Sequence, residues 1–109
     1  MKEKIVILGA GESGLGTAIL AKKQGFDVFV SEQGAISATA KKTFEELEVV
    51  WEEGLHSFSK MSDASWIMKS PGIPSNAPIV SQLKLIKIPV VSEIEFAARY
   101  TSATLIGVT

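Results

Sequence analysis

The chain has 109 residues, 46% of them hydrophobic and 21% charged, which suits one domain that buries roughly 65% of its unfolded surface. Eleven basic and twelve acidic side chains leave a net charge of −1, so there is no basic excess to neutralise a nucleic-acid backbone. There is no cysteine, which removes disulfides, thiolate metal sites and cysteine nucleophiles.

The first residues, MKEKIVILGAG, do not form a signal peptide, because the apolar run is short and ends in a glycine loop. No segment approaches the ~18 apolar residues of a membrane span, and a cytoplasmic location is expected. Residues 4–8 are continuous and β-branched, which predicts a buried parallel strand. Residues 14–24 predict a helix with Leu15, Ala18, Ile19 and Lys22 on one face and Gly25 as its C′ residue. A second strand is expected at 28–30. Ile36, Ala40, Phe44 and Leu47 recur at helical spacing and give a second helix. A third strand at 49–51 is followed by a short helical turn around Phe58 and Met61 and a fourth strand at 66–68. Asn76 is placed to cap a helix that has Pro78 in its first turn and Ile79, Leu83 and Ile86 as its stripe. Residues 89–91 give a fifth strand. Ser92 and Glu95 form a capping box that opens a helix to about residue 100. A sixth strand is expected at 104–108, beyond a linker-like stretch at 99–103. A chain that stops on a strand looks cut from something longer.

Five successive βα units predict an α/β fold: a Rossmann-like, doubly wound parallel sheet with helices on both faces. Ligands of such sheets bind beyond the C-terminal ends of the strands. The loops to watch are therefore 9–14, 31–35, 52–56 and 69–76.

Gly9, Gly11 and Gly14 form a GxGxxG between a strand and a helix. The free N–H groups of the helix start and its dipole make an anion site. Gly11 lets the backbone approach a phosphate and Gly14 lets the helix pack on the strand; the bland reading is a tight turn without a ligand. Glu32 ends the second strand 18 residues after Gly14, near the offset of a ribose-binding acid, though a solvated strand end would look the same. Ser70, Pro71 and Gly72 sit in a stiff loop, and a flat ring can lie on the backbone at Gly72; an ordinary turn is the alternative. His56, the only histidine, cannot make a metal site alone, and no metal site or catalytic residue is assigned. A surface or hydrogen-bonded role fits it. Glu45, Glu46, Glu48, Glu52 and Glu53 read mostly as the wet side of a helix and a strand end. Trp51 and Trp66 read as core.

The glycine loop, S-P-G-I at 70–73, IPVVSEIEF at 88–96 and G-V-T at 107–109 occur in the order seen in the Mur ligases. S-P-G-I resembles the branch that adds D-glutamate to UDP-N-acetylmuramoyl-L-alanine. The resemblance is weakest over 35–65. It implies that residues 1–101 are an N-terminal, UDP-substrate-binding domain. Residues 102–109 are then a linker and the first strand of a central ATP-binding domain, whose phosphate loop would begin at Gly107, Val108 and Thr109. The whole enzyme would phosphorylate the substrate's terminal carboxylate with ATP, and the amine of D-glutamate would attack the acyl phosphate. ATP, Mg2+ and D-glutamate would bind outside this fragment, which should be inactive alone. Residue by residue, the resemblance lays the diphosphate over Gly11, Glu12, Ser13 and Gly14. It lays uracil between Glu32 and Gln33 on one side and Ser70, Pro71 and Gly72 on the other. Some members carry Thr-Arg after the acid where this chain has Gln33 and Gly34, and an apolar residue in place of Glu12. Two alternatives stand beside this reading: the NAD(P)-binding domain of an oxidoreductase, and a nucleotide-sensing regulatory module.

Overall fold

The computed structural model describes residues 3–100. The elements run β1 (Lys4–Leu8), α1 (Glu12–Lys23), β2 (Asp27–Glu32), α2 (Ala38–Glu46), β3 (Val50–Glu53), a single 3₁₀ turn (Phe58–Lys60), β4 (Trp66–Lys69), α3 (Pro78–Leu85), β5 (Val90–Ser92) and α4 (Glu93–Tyr100). All four strand pairings are parallel, in the order β3-β2-β1-β4-β5. This is the expected doubly wound sheet. The sixth strand expected at 104–108, and the boundary drawn at 101–102, lie outside the described residues. Among the described residues no helix is long and apolar enough to cross a membrane.

The core divides by strand alternation. Ile5 and Ile7 of β1, Val28 and Val30 of β2 and Met68 of β4 face α1, α2 and α4. Val6 and Leu8, with Phe29 and Ile67, face α3 and the 3₁₀ turn through Val80, Leu83 and Met61. The chain therefore changes faces after β3. That change puts β1 and β4 side by side with their following loops leaving in opposite directions, which opens a crevice between them. Phe26, Trp66 and Phe96 then anchor α4, with ring centroids 5.0 to 6.0 Å apart.

Several local expectations need correction. Helix α1 begins at Glu12, two residues before the predicted start, and its buried face is Gly14, Thr17, Ala18 and Ala21. The face expected from Leu15, Ala18, Ile19 and Lys22 is off by one position, because close approach to the sheet selects the smallest side chains and leaves Leu15 at the margin. The cap of α3 is Ala77, without a side-chain bond, and Pro78 takes the first helical position. Asn76 is one residue too early to cap it. Val80 is fully buried and Ile86 is 44% exposed, so Val80 replaces Ile86 in the stripe. The capping box is present: the Ser92 N–H donates to Glu95 Oε1 and the Glu95 N–H to Ser92 Oγ, both at 3.1 Å.

Three helices end in the same way. After α1, the N–H of Gly25 donates to the Lys22 carbonyl and that of Phe26 to the Ala21 carbonyl. After α2, Glu48 and Val49 bond back to Glu45 and Phe44, and after α3, Lys87 and Ile88 bond back to Lys84 and Leu83. Each is a Schellman closure, with an apolar residue just beyond it tucked into the core. Only the first uses glycine at the left-handed position. Glu48 and Lys87 adopt φ of 61° and 65°, which costs a side-chain-bearing residue roughly 1–2 kcal/mol. Glu48 also places a negative charge at the negative end of a helix. Glu48→Gly and Lys87→Gly should each raise stability in denaturant titrations, by about 1 kcal/mol, with Glu48→Gly the larger gain. Gly25→Ala should lower it by a similar amount.

Candidate functional site

The crevice is built from four loops at the C-terminal ends of the strands. The first is held from both sides. The Gly9 N–H donates to the Ser31 carbonyl at 2.8 Å, and the Ser70 N–H donates to the Leu8 carbonyl at 3.1 Å. Gly9 has φ of 104°, and a Cβ there would lie 2.6 Å from Ser70 Oγ. A Cβ on Gly14 would be driven onto the Gly9 carbonyl oxygen. Those two glycines are thus required by packing. Gly11 is different: it caps α1 with extended backbone and no side-chain bond, and a Cβ on it would meet nothing within 4 Å. The N–H groups of the first turn, at Glu12, Ser13 and Gly14, have no intrahelical acceptor. They form an anion-accepting helix start that opens to solvent at Gly11, Glu12 and Ser13.

Glu32 ties two loops together. Its Oε1 accepts from the Ala10 N–H at 2.7 Å and its Oε2 from the Gly34 N–H at 2.9 Å. It shares a cavity of about 510 Å³ with Gly11, Glu12 and Ser37 at the start of α2. Gln33 and Gly72 line a second cavity of about 450 Å³ on the α3 side, with His56, Pro74 and Gln82. Ser13 faces neither of these. It lies in a shallow groove between α1 and α4 with Thr17 and Glu93. The predicted residues therefore gather around the rim of one sheet edge but divide between its two faces.

The loop after β4 is shaped by its own backbone bonds. The Ile73 N–H donates to the Ser70 carbonyl at 3.1 Å and the Ala77 N–H to the Pro74 carbonyl at 3.1 Å. Lys69 reaches along it, with Nζ donating to the Ile73 carbonyl at 2.6 Å. Pro71 and Gly72 stand exposed at its tip, and a Cβ on Gly72 would meet nothing within 4 Å. Ser70 Oγ is buried without a hydrogen-bond partner, directly beneath Gly9.

A buried polar chain at the ends of β2 and β3 escaped the sequence reading. Ser31 is fully buried in the middle of the sheet, and Glu52 is 8% exposed, so Glu52 does not belong to the wet side assigned to its acidic neighbours. Ser31 Oγ donates to Glu52 Oε2 at 2.7 Å and lies 2.7 Å from His56 Nδ1. The Ser57 N–H donates to the same Glu52 oxygen at 2.7 Å. Burial pushes the Glu52 pKa up, but the bonds from Ser57 and Ser31 and the nearby Lys60 charge outweigh it and hold the carboxyl below its ordinary value. Burial lowers the His56 pKa below its ordinary value, against the pull of Glu52 and Glu32. The signal available in the sequence was Ser31 itself, a lone hydroxyl inside an apolar strand that requires a buried partner. Glu53 is likewise engaged: it accepts from the Ile36 N–H at 2.9 Å and pairs with Lys41 at 2.7 Å, which fixes the entry to α2.

A parallel 3-2-1-4-5 sheet with a glycine loop and a free helix start at its switch point defines a Rossmann-like domain. The MurD N-terminal domain family matches residues 4–79, and the chain belongs to that family. It is 53% identical over its whole length to the UDP-N-acetylmuramoylalanine–D-glutamate ligase of Christiangramia forsetii, and 50% identical over 107 residues to that of Bacteroides thetaiotaomicron. It spans 24% of the length of each of these relatives. Among solved structures, the UDP-N-acetylmuramate–alanine ligase MurC of Thermotoga maritima superposes on 92% of the chain with a TM-score of 0.78 at 17% identity. The match covers 23% of that structure and shows the shared fold.

Glu52→Gln should lower stability by about 1–2 kcal/mol at pH 7, because Ser31, Ser57 and Lys60 lose a charged partner. A carboxylate with a depressed folded pKa stabilises above its unfolded value and stops doing so as pH falls through the folded one. The gap between native chain and variant should therefore narrow as pH falls below the ordinary value of 4.5, which urea titrations at several pH values will measure.

Proposed function

We propose that this chain is the substrate-holding domain of an ATP-dependent ligase that adds D-glutamate to UDP-N-acetylmuramoyl-L-alanine in the cytoplasmic synthesis of peptidoglycan precursors. The observation that carries the reading is the pair of open backbones at the switch point. The free helix start at Gly11 and the bare loop tip at Gly72 belong to neighbouring strands, in a chain 53% identical to a ligase of that name. The diphosphate lies over Gly11, Glu12, Ser13 and Gly14, held by backbone N–H groups and the helix dipole. The Glu12 side chain turns to water. Uracil lies between Glu32 and Gln33 on β2's side and Ser70, Pro71 and Gly72 on β4's side, flat on the Gly72 backbone.

The domain acts as a handle and has no bond-making role. The rest of the parent binds ATP, Mg2+ and D-glutamate, transfers a phosphoryl group to the L-alanine carboxylate, and lets the D-glutamate amine displace phosphate to form the amide. The dinucleotide alternative would place Glu32 on a ribose hydroxyl; the S-P-G-I loop at 70–73 and the identity to a ligase named for a UDP substrate favour the uridine compound.

In a thermal-shift titration, UDP-N-acetylmuramoyl-L-alanine and UDP should stabilise the chain weakly, since part of the contact surface belongs to the rest of the parent, and NAD should not. A shift with NAD and none with uridine nucleotides would overturn the reading. Gly72→Val should abolish the UDP effect while leaving the melting temperature of the free chain nearly unchanged, because its side chain enters open space.

A further inference from the structure

Glu12 heads α1, with Gly11 as its cap. Some members of the resembling family carry an apolar residue at this place, and a diphosphate there meets backbone alone; this chain brings a carboxylate. The side chain is exposed and borders the cavity of about 510 Å³ with Gly11, Glu32 and Ser37. Among the described residues it makes no ion pair. In the free chain a carboxylate in the first turn complements the positive end of the helix. A bound phosphate competes for that same end.

Covalent geometry keeps the two anions close. A phosphate oxygen that accepts from the Glu12 N–H lies about 2.9 Å from the nitrogen. Even a fully extended glutamate side chain then holds its carboxylate within about 9 Å of that oxygen. This is close to the Debye length of about 8 Å at physiological ionic strength, so the carboxylate acts on the ligand even when it points to water. Among the described residues, neither of the two rim cavities is lined by a lysine or an arginine. Lys69 donates to the Ile73 carbonyl of its own loop. The helix start thus offers N–H groups and roughly half a positive charge beside one full negative charge.

Such a rim penalises each further charge on its ligand. At pH 8 a diphosphate esterified at both ends, as in a UDP-sugar, carries two negative charges, UDP three and UTP four, because the last proton of a terminal phosphate leaves near pH 6. We infer that Glu12 is a specificity residue: its carboxylate makes this helix start select the doubly esterified diphosphate of a nucleotide-sugar over free nucleoside diphosphates and triphosphates. The inference rests on the UDP reading and adds to it a discrimination among ligands that share the uridine. Glu32, the other acid of the cavity, is held by the Ala10 and Gly34 N–H groups and stays the same when position 12 is changed.

Calorimetric binding of UDP-glucose, UDP and UTP at pH 8, in low salt with a chelator to remove divalent cations, tests the assignment. The Glu12 charge should weaken binding about two- to threefold for each charge added to the ligand. Glu12→Gln, of the same size, should therefore lower the ratio of UDP-glucose to UTP affinity about fivefold, with UDP in between. Glu12→Lys should lower it further, and about 0.5 M salt should shrink both changes. A helix merely weakened by loss of its first-turn acid would lose affinity for all three ligands alike. Ratios unchanged in both variants would overturn the inference and leave the UDP reading intact. Failure of UDP-N-acetylmuramoyl-L-alanine and of all three nucleotides to bind would overturn both.

Discussion

The position of α1 depends on one close contact. Gly14 lies so near the Gly9 carbonyl that any side chain would be driven into it. The helix is thereby locked against the end of β1, with Thr17, Ala18 and Ala21 continuing the small-residue face. Because the helix cannot stand off, its first N–H groups are presented at the rim and not beneath a layer of side chains. The open backbone at Gly11 follows from where that helix begins, and the tuck of Ser70 under Gly9 from the pairing of β4 with β1.

Charge then organises what packing has brought together. The three buried or half-buried acids at the ends of β2 and β3 each hold parts of the fold together. Glu32 joins the first loop to its own turn, Glu53 holds the start of α2, and Glu52 accepts from the Ser31 hydroxyl and the Ser57 N–H. The result is a rim whose strand-end carboxylates are held in place by N–H and hydroxyl donors.

The parts of this arrangement legible in the sequence are those set by local chemistry. The strand Lys4–Leu8, the glycine loop, the Gly25 closure and the Ser92–Glu95 box each depend on residues within a few positions, and each is found as expected. What escaped is set by contact across the fold. The buried face of α1 was misjudged because tight packing prefers glycine, threonine and alanine to the leucine and isoleucine that periodicity selects. Asn76 is a good cap in principle, but Pro78 fixes the first turn of α3 one residue too late for it to serve. Ser31, Glu52 and His56 lie 21 and 25 residues apart as bonded pairs, and only the parallel pairing of β2 with β3 makes them neighbours. The same pairing turns one acid of a run that reads as solvated into a buried hydrogen-bond centre.

The most direct measurement is an amide chemical-shift map of the ¹⁵N-labelled chain titrated with UDP-N-acetylmuramoyl-L-alanine. The largest changes should fall at Gly11, Glu12 and Ser13, at Gln33 and at Gly72, with the far end of α3 around Leu85 unmoved. Changes confined to other surfaces, or a response to NAD with none to the uridine compound, would contradict the account.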